Sequence, residues 1–133
     1  MARFVVDRDT LLAIAAGEIE VAPAHQLLAP TLVRSQALSA LYRASRRGEI
    51  PADEALERIT RINSLKVRFL GDKVLQRTAF RIADQLGWDS TEDAEFVALT
   101  QLQADGFVTS NEQLADAVSG IVKTSSIDAL RKG

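Results

Sequence analysis

Short apolar runs alternate along this chain with longer stretches of helical periodicity, and the switches between the two define its elements. Phe4, Val5 and Val6 form a strand that ends at Asp7, and Thr10 to Ala16 is a compact helical stretch closed by Gly17. Glu18 to His25 is polar and holds Pro23, so it is a loop. Gln26 to Ala29 is a second strand halted by Pro30. From Thr31 a long helix carries its apolar stripe on Leu32, Ala37, Leu38, Ala40 and Leu41. Its polar positions are Arg34, Gln36, Arg43, Arg46 and Arg47, and Gly48 ends it. Pro51 opens a further helix through Asn63 with Ala55, Leu56, Ile59 and Ile62 on one face.

Leu65 to Leu70 alternates like a half-buried or edge strand and stops at Gly71. Asp72 to Leu86 returns to helical spacing, with Val74, Leu75, Ala79, Ile82 and Ala83 inward and Gly87 as its stop. The next stretch, Trp88 to Asn111, carries the densest apolar pattern. Ser90 and Asp93 fit a Ser-x-x-acid helix start, and Ala94, Phe96, Val97, Ala98, Leu99 and Leu102 make the helix apolar on most of its surface. Gly106 breaks it, and Phe107, Val108 and Thr109 form an interior strand running out into Ser110 and Asn111. A short helix over Asn111 to Val118, the start of a last strand at Ile121 and Val122, and a terminal turn over Ser126 to Leu130 complete the pattern. The expectation is an α/β fold: one domain over residues 1–133, about five parallel strands, and helices on both faces of the sheet. Two helices in succession after the second strand are the irregular feature.

Composition narrows the chemistry. A chain of 133 residues, 47 % hydrophobic and 26 % charged, has enough apolar material for one core and no room for a second domain. It has no cysteine, which excludes disulfides and thiolate metal sites and agrees with a reducing compartment. MARFVVDRD meets a charge after three apolar residues, so neither a signal peptide nor a membrane span is expected at this end, and a cytoplasmic location is. The net charge of −2 gives no whole-molecule attraction for nucleic acid, so RNA contact requires a local basic patch. Arg43, Arg46 and Arg47 are candidates for it, or equally a dipole-matched helix end. No Gly-rich phosphate loop occurs. His25, the only histidine, lies in a loop without a nucleophile signature and is expected at the surface. What remains is carboxylates at strand and helix ends: Asp7, Asp9, Asp72, Asp89, Glu92, Asp93 and Glu95. Oxygen donors of this kind suit Mg2+ or Mn2+. Asp7, at the end of a first strand, overlooks the crevice where ligands bind in open sheets, and it also stands where a helix dipole favours an acid.

FVVDRDTLL, LLAPTLVRSQALSAL and ADQLGWDSTEDAEFVALTQLQADGFVTSNEQLA, in this order and spacing, resemble the PIN-domain family, in particular its small VapC-type endoribonuclease toxins. The resemblance covers nearly the whole chain. It implies four acids gathered at the carboxyl end of a five-stranded parallel sheet, Mg2+ or Mn2+ bound there, RNA as substrate, a cognate antitoxin protein as partner, and a homodimer. Asp7 matches the first-strand acid and Asp93 the acid at the helix start, and Thr109 and Asn111 fall on the family's Thr-x-Asp. Gln36 stands where the family has a glutamate, and Asn111 where it has its last aspartate. These amides keep an oxygen but bring neither charge nor basicity. Asp9, Glu95 and Glu112 are auxiliary acids, with Asp9 preferred because Glu95 lies about 200° round the helix from Asp93. A nuclease-impaired module that binds RNA or protein is the alternative. A receiver-like domain using Asp7, Asp9, Asp72, Thr109 and Lys123 fits less well, since Asp72 follows Gly71 instead of ending a strand. An interface could draw on Ile59 and Ile62 if they are exposed.

Overall fold

Val5, Val6, Leu28, Ala29, Phe107 and Val108 are all at most 1 % exposed, although neighbours in a strand point to opposite sides. Both faces of their sheet are therefore covered, the condition under which parallel strands form. The computed structural model describes residues 2–132. Its strands are β1 (Arg3–Val6), β2 (Gln26–Pro30), β3 (Val67–Leu70), β4 (Gly106–Val108) and β5 (Thr124–Ser125). Its helices are α1 (Arg8–Ala15), α2 (Leu32–Arg46), α3 (Ala52–Ser64), α4 (Lys73–Leu86), α5 (Glu92–Gln103) and α6 (Glu112–Val118), followed by a 3-10 turn over Ile127–Leu130.

The sheet has five strands in the order β3-β2-β1-β4-β5, and every pairing is parallel. Chain connections run outward from β1 to β2 and β3, then cross back to β4 and β5. Right-handed crossovers accordingly place α1 to α3 on one face and α4 to α6 on the other. Contacts agree: α1, α2 and α3 pack on one another, while α5 packs on α4 and lies against β1, β2 and β4. That central place explains the all-round apolar sequence of α5, in which Ala94, Phe96, Val97, Ala98, Leu99 and Thr100 are buried.

Several apolar residues face differently from their expected stripes. Val33, Ala37 and Leu41 form the inward face of α2, and Leu38, about 100° from Ala37, is 52 % exposed. The same one-residue offset leaves Leu56 on α3 and Val74 on α4 in solvent, and Leu102 on α5 is also exposed. Ile62 is buried and Ile59 packs against the core, so neither offers an interface. Ile121 and Val122 do not start the last strand. Their N–H groups donate back to Val118 O at 2.9 and 3.1 Å, which keeps them in a turn, and the ladder to β4 forms at Thr124 and Ser125. Pro30 ends β2 from within, opposite Leu70, where its missing N–H costs no ladder bond. Ser90 is not the residue that caps α5. Thr91 takes that position without a side-chain bond, and the Ser90 hydroxyl accepts from Glu92 N at 3.1 Å. His25 is half-buried, its ring edge-on to Phe4 at 5.0 Å and its Nε2 against Lys132 O.

Gly87 closes α4 in the left-handed region, φ 68° and ψ 30°, with Trp88 N donating to Ala83 O at 2.9 Å. An L side chain at such a torsion costs about 1 kcal/mol. Gly87→Ala is expected to lower unfolding stability by about that amount in urea titrations, and an unchanged midpoint would mean that the turn relaxes freely.

Candidate active site at the carboxyl edge of the sheet

The chain's connections reverse direction between β1 and β4, and the crevice beyond their carboxyl ends is where an open parallel sheet offers a site. Asp7 follows β1 directly and caps α1. Its Oδ1 accepts from Thr10 N at 2.9 Å, and its Oδ2 accepts from the Thr109 hydroxyl at 2.7 Å. Thr109 Oγ1 in turn accepts from Asn111 N at 3.1 Å, and Asn111 Oδ1 accepts from Leu114 N at 3.0 Å, capping α6. One continuous set of hydrogen bonds thus joins the ends of β1 and β4 to the starts of α1 and α6. Thr109 is 7 % exposed, so the link is direct and largely shielded from solvent.

Asp7, Gln36, Asp93 and Asn111 line a single pocket of about 130 Å³, together with Arg8, Asp9, Phe96, Phe107 and Leu114. All four sequence-derived site residues therefore meet, from α2, from the first turn of α5 and from the ends of β1 and β4. Asp9 lines the same pocket, but its carboxylate is held by Arg8 Nε at 3.0 Å. Thr109 acts from behind, through Asp7. Glu95 and Glu112 lie outside the lining. Sequence reading missed Arg8. Its signal was adjacency to Asp7 at the first position of α1, which puts a guanidinium beside the carboxylates.

Asp93 has its pKa raised, first by burial, then by the charges of Glu92 and Asp7; Arg8 opposes the shift. Glu95 is raised by burial and by Glu92. The influence of Asp7 on Asp93 is a like-charge interaction between residues far apart in sequence, and a bound cation would relieve it. Among the described residues no group of three or more acidic or histidine side chains is placed to hold a metal ion. The donor set is two carboxylates with the Gln36 amide beside them, while the Asn111 oxygen is already an acceptor for α6. This fits a hard cation such as Mg2+, which keeps several waters and takes one or two carboxylates plus substrate phosphate. It does not fit an all-protein cage.

A parallel α/β sheet with an acidic pocket at its switch point is the class of protein defined by these features. Comparison with solved structures sharpens it. The fold is similar to that of PAE2754 from Pyrobaculum aerophilum, with a TM-score of 0.74 and 20 % identity over 97 % of this chain and 92 % of the other. It is similar to a chain of VapBC2 from Rickettsia felis, a complex bound to a DNA fragment from its promoter, with a TM-score of 0.66 and 7 % identity over 93 % and 98 %. It is also similar to a chain of VapBC-1 from nontypeable Haemophilus influenzae, with a TM-score of 0.62 and 11 % identity over 95 % and 98 %. No family model matches the sequence, and no curated protein does. The chain shares the fold of these structures, a five-stranded parallel sheet of the PIN-domain kind with helices on both faces, as the sequence motifs led one to expect. Among the described residues no helix is long and apolar enough to cross a membrane.

The raised Asp93 and Glu95 carboxyls fix the sign of a stability effect. A carboxyl whose folded pKa exceeds its unfolded one is protonated longer in the native state. Its stabilising contribution is therefore present at low pH and lost as pH rises through the raised value. Asp93→Asn is expected to raise the thermal midpoint of the metal-free chain at neutral pH and to flatten its decline across the mildly acidic range. Calorimetry in EDTA showing a lowered midpoint would mean that the Asp93 carboxylate stabilises the fold.

Proposed function

We propose that this chain is the toxin component of a toxin–antitoxin pair, an endoribonuclease that hydrolyses RNA phosphodiester bonds with Mg2+ or Mn2+. Its cognate antitoxin is a separate protein, and the working form is a homodimer. The observation that carries the reading is the convergence of Asp7 and Asp93 on one pocket at the carboxyl edge of the sheet, with Gln36 and Asn111 between the remaining elements. Structural neighbours from VapBC complexes support the partner.

Asp7 is held by two hydrogen bonds and cannot swing away, so it positions whatever it binds. Asp93 makes no such pair of side-chain hydrogen bonds, so its carboxylate can turn between a cation and the attacking water and orient that water toward the phosphate. Arg8 brings a positive charge to the rim and meets a non-bridging phosphate oxygen. Gln36 can orient a water through its amide oxygen, but cannot deprotonate it. The divalent cation, when bound by Asp7 and Asp93, supplies charge neutralisation at the phosphate and a lowered pKa for water.

A second reading, a PIN-fold module that binds RNA or protein without cutting it, is favoured by Gln36 and Asn111 and by the lack, among the described residues, of a third carboxylate placed to hold a metal with Asp7 and Asp93. End-labelled RNA in Mg2+ or Mn2+ separates the two. The first reading expects cleavage that falls at least about a hundredfold in Asp7→Asn and Asp93→Asn, with folding retained because asparagine caps α1 as well as aspartate does and its amide can donate to the Thr109 hydroxyl in place of accepting from it. Gln36→Glu combined with Asn111→Asp is expected to lower the Mg2+ concentration for half-maximal cleavage. RNA binding without any cutting, in the wild type and in this double variant, would establish the second.

A further inference from the structure

Beside the candidate active site lies a second, wider cavity of about 500 Å³, lined by Gln36, Gly87, Trp88, Asp89, Ser90, Glu92 and Asp93. It shares Gln36 and Asp93 with the first pocket, so a group seated in it is covalently within reach of a phosphate at Asp7. From the cavity lining and its position we propose that this cavity is a nucleobase subsite, in which Trp88 stacks on a base flanking the scissile phosphate and the Asp89 and Glu92 carboxylates select guanine. The assignment rests on the reading of the chain as an RNA-cutting domain and names what that domain reads.

Chemistry of the lining points this way. No lysine or arginine borders the cavity, and three carboxylates do, so it repels a phosphate and takes an uncharged group rich in N–H donors. Its one aromatic wall is Trp88, and single-stranded RNA is held by stacking unpaired bases on such rings while their Watson–Crick edges are read by polar side chains. Trp88 is anchored: its backbone N–H donates to Ala83 O at 2.9 Å, and its side chain packs partly on the core. The wall is thus fixed before a ligand arrives. Gly87 leaves the adjoining edge open, since no heavy atom stands within 4 Å of where its Cβ would be.

Carboxylates also decide which base. They accept hydrogen bonds and donate none when ionised. Guanine presents N1–H and the N2 amino group side by side, two donors matched to the two oxygens of one carboxylate. Adenine and cytosine each present one amino group beside an acceptor nitrogen, and uracil sets its single N–H between two carbonyl oxygens that a carboxylate repels. Guanine is therefore the best match and uracil the worst. The Asp89 side chain is exposed, and Glu92 Oε2 has only a long contact with Ser90 Oγ at 3.4 Å, so both retain lone pairs facing solvent.

Trp88 is the only tryptophan, so its fluorescence reports the cavity directly. In EDTA, where no cleavage is expected, wild-type chain titrated with a uridine hexamer carrying one guanosine should show quenching, and an affinity about tenfold above that for the all-uridine hexamer. In Asp89→Asn combined with Glu92→Gln the two hexamers should bind within about twofold of each other, with quenching by both retained. Trp88→Phe, which keeps a stacking face, should preserve the guanosine preference as read by fluorescence anisotropy of labelled RNA. Equal affinities in the wild type, binding of neither hexamer, or a preference untouched by the double variant would each overturn the subsite. Its fate is separable from that of the nuclease reading: a guanosine preference in EDTA with no cutting in Mg2+ removes only the latter, and cutting without the preference removes only the former.

Discussion

The hydrogen bond from the Thr109 hydroxyl to Asp7 at 2.7 Å ties together the carboxyl ends of two strands that are sheet neighbours but 102 residues apart in sequence. Asp7 spends one oxygen on α1 and the other on Thr109, so its carboxylate is part of the fold at the same point where it faces the pocket. Fixing it this way means that the site does not depend on a loop. A side chain whose two oxygens are both engaged gives up rotamer freedom on folding, not on ligand binding, and leaves less ordering to be done when a substrate arrives.

Charge at the pocket follows from what stands around that anchor. Asp7, Asp9 and Asp93 against Arg8 give three negative charges and one positive, a net of −2. With acids at positions 36 and 111 the balance would be −4, a crowding tolerated only with a cation in place. The two amides therefore relax the metal-free pocket and weaken its claim on a metal. Asp93 is shifted upward first by burial and then by the charges of Glu92 and Asp7, and Arg8 offsets part of the shift. Under the proposed function, such a pocket would need its substrate to complete the coordination of a hard cation, which would tie cation and phosphate binding into one event.

Much of this was legible in the sequence because both the sheet and the site are written at element ends. Buried parallel strands must be short and apolar throughout, so Val5, Val6, Phe107 and Val108 announced themselves, and the polar residue after each run, Asp7 or Asn111, had to lie at the carboxyl edge. Gln36 was reached by resemblance, not by periodicity, whereas Asp93 already stood out as the acid at an expected helix start. What stayed hidden was set by neighbours. A two-residue strand such as β5 has no pattern of its own and exists by pairing with Phe107 and Val108. Leu38, Leu56 and Val74 are apolar at positions one step off the buried face, where hydropathy cannot distinguish solvent from core. His25 was placed at the surface because its partners, Phe4 and Lys132, are remote in sequence. Arg8 drew no reading of its own, because it lies before the helical stretch expected from Thr10, although its neighbour decided its role.

Two placements that the sequence offered for Asp7, at a helix start and in the crevice beyond the sheet, coincide in the structure. Asp7 caps a helix, and it lines the site. The same holds at Asn111, whose side chain caps α6 with the oxygen an aspartate would also offer. For the cap, aspartate and asparagine are nearly equivalent. The cap of α6 is thus indifferent to whether position 111 is charged, and the helix start places no constraint on the charge there. Any consequence of the amide at this position comes through the charge of the pocket, not through the cap.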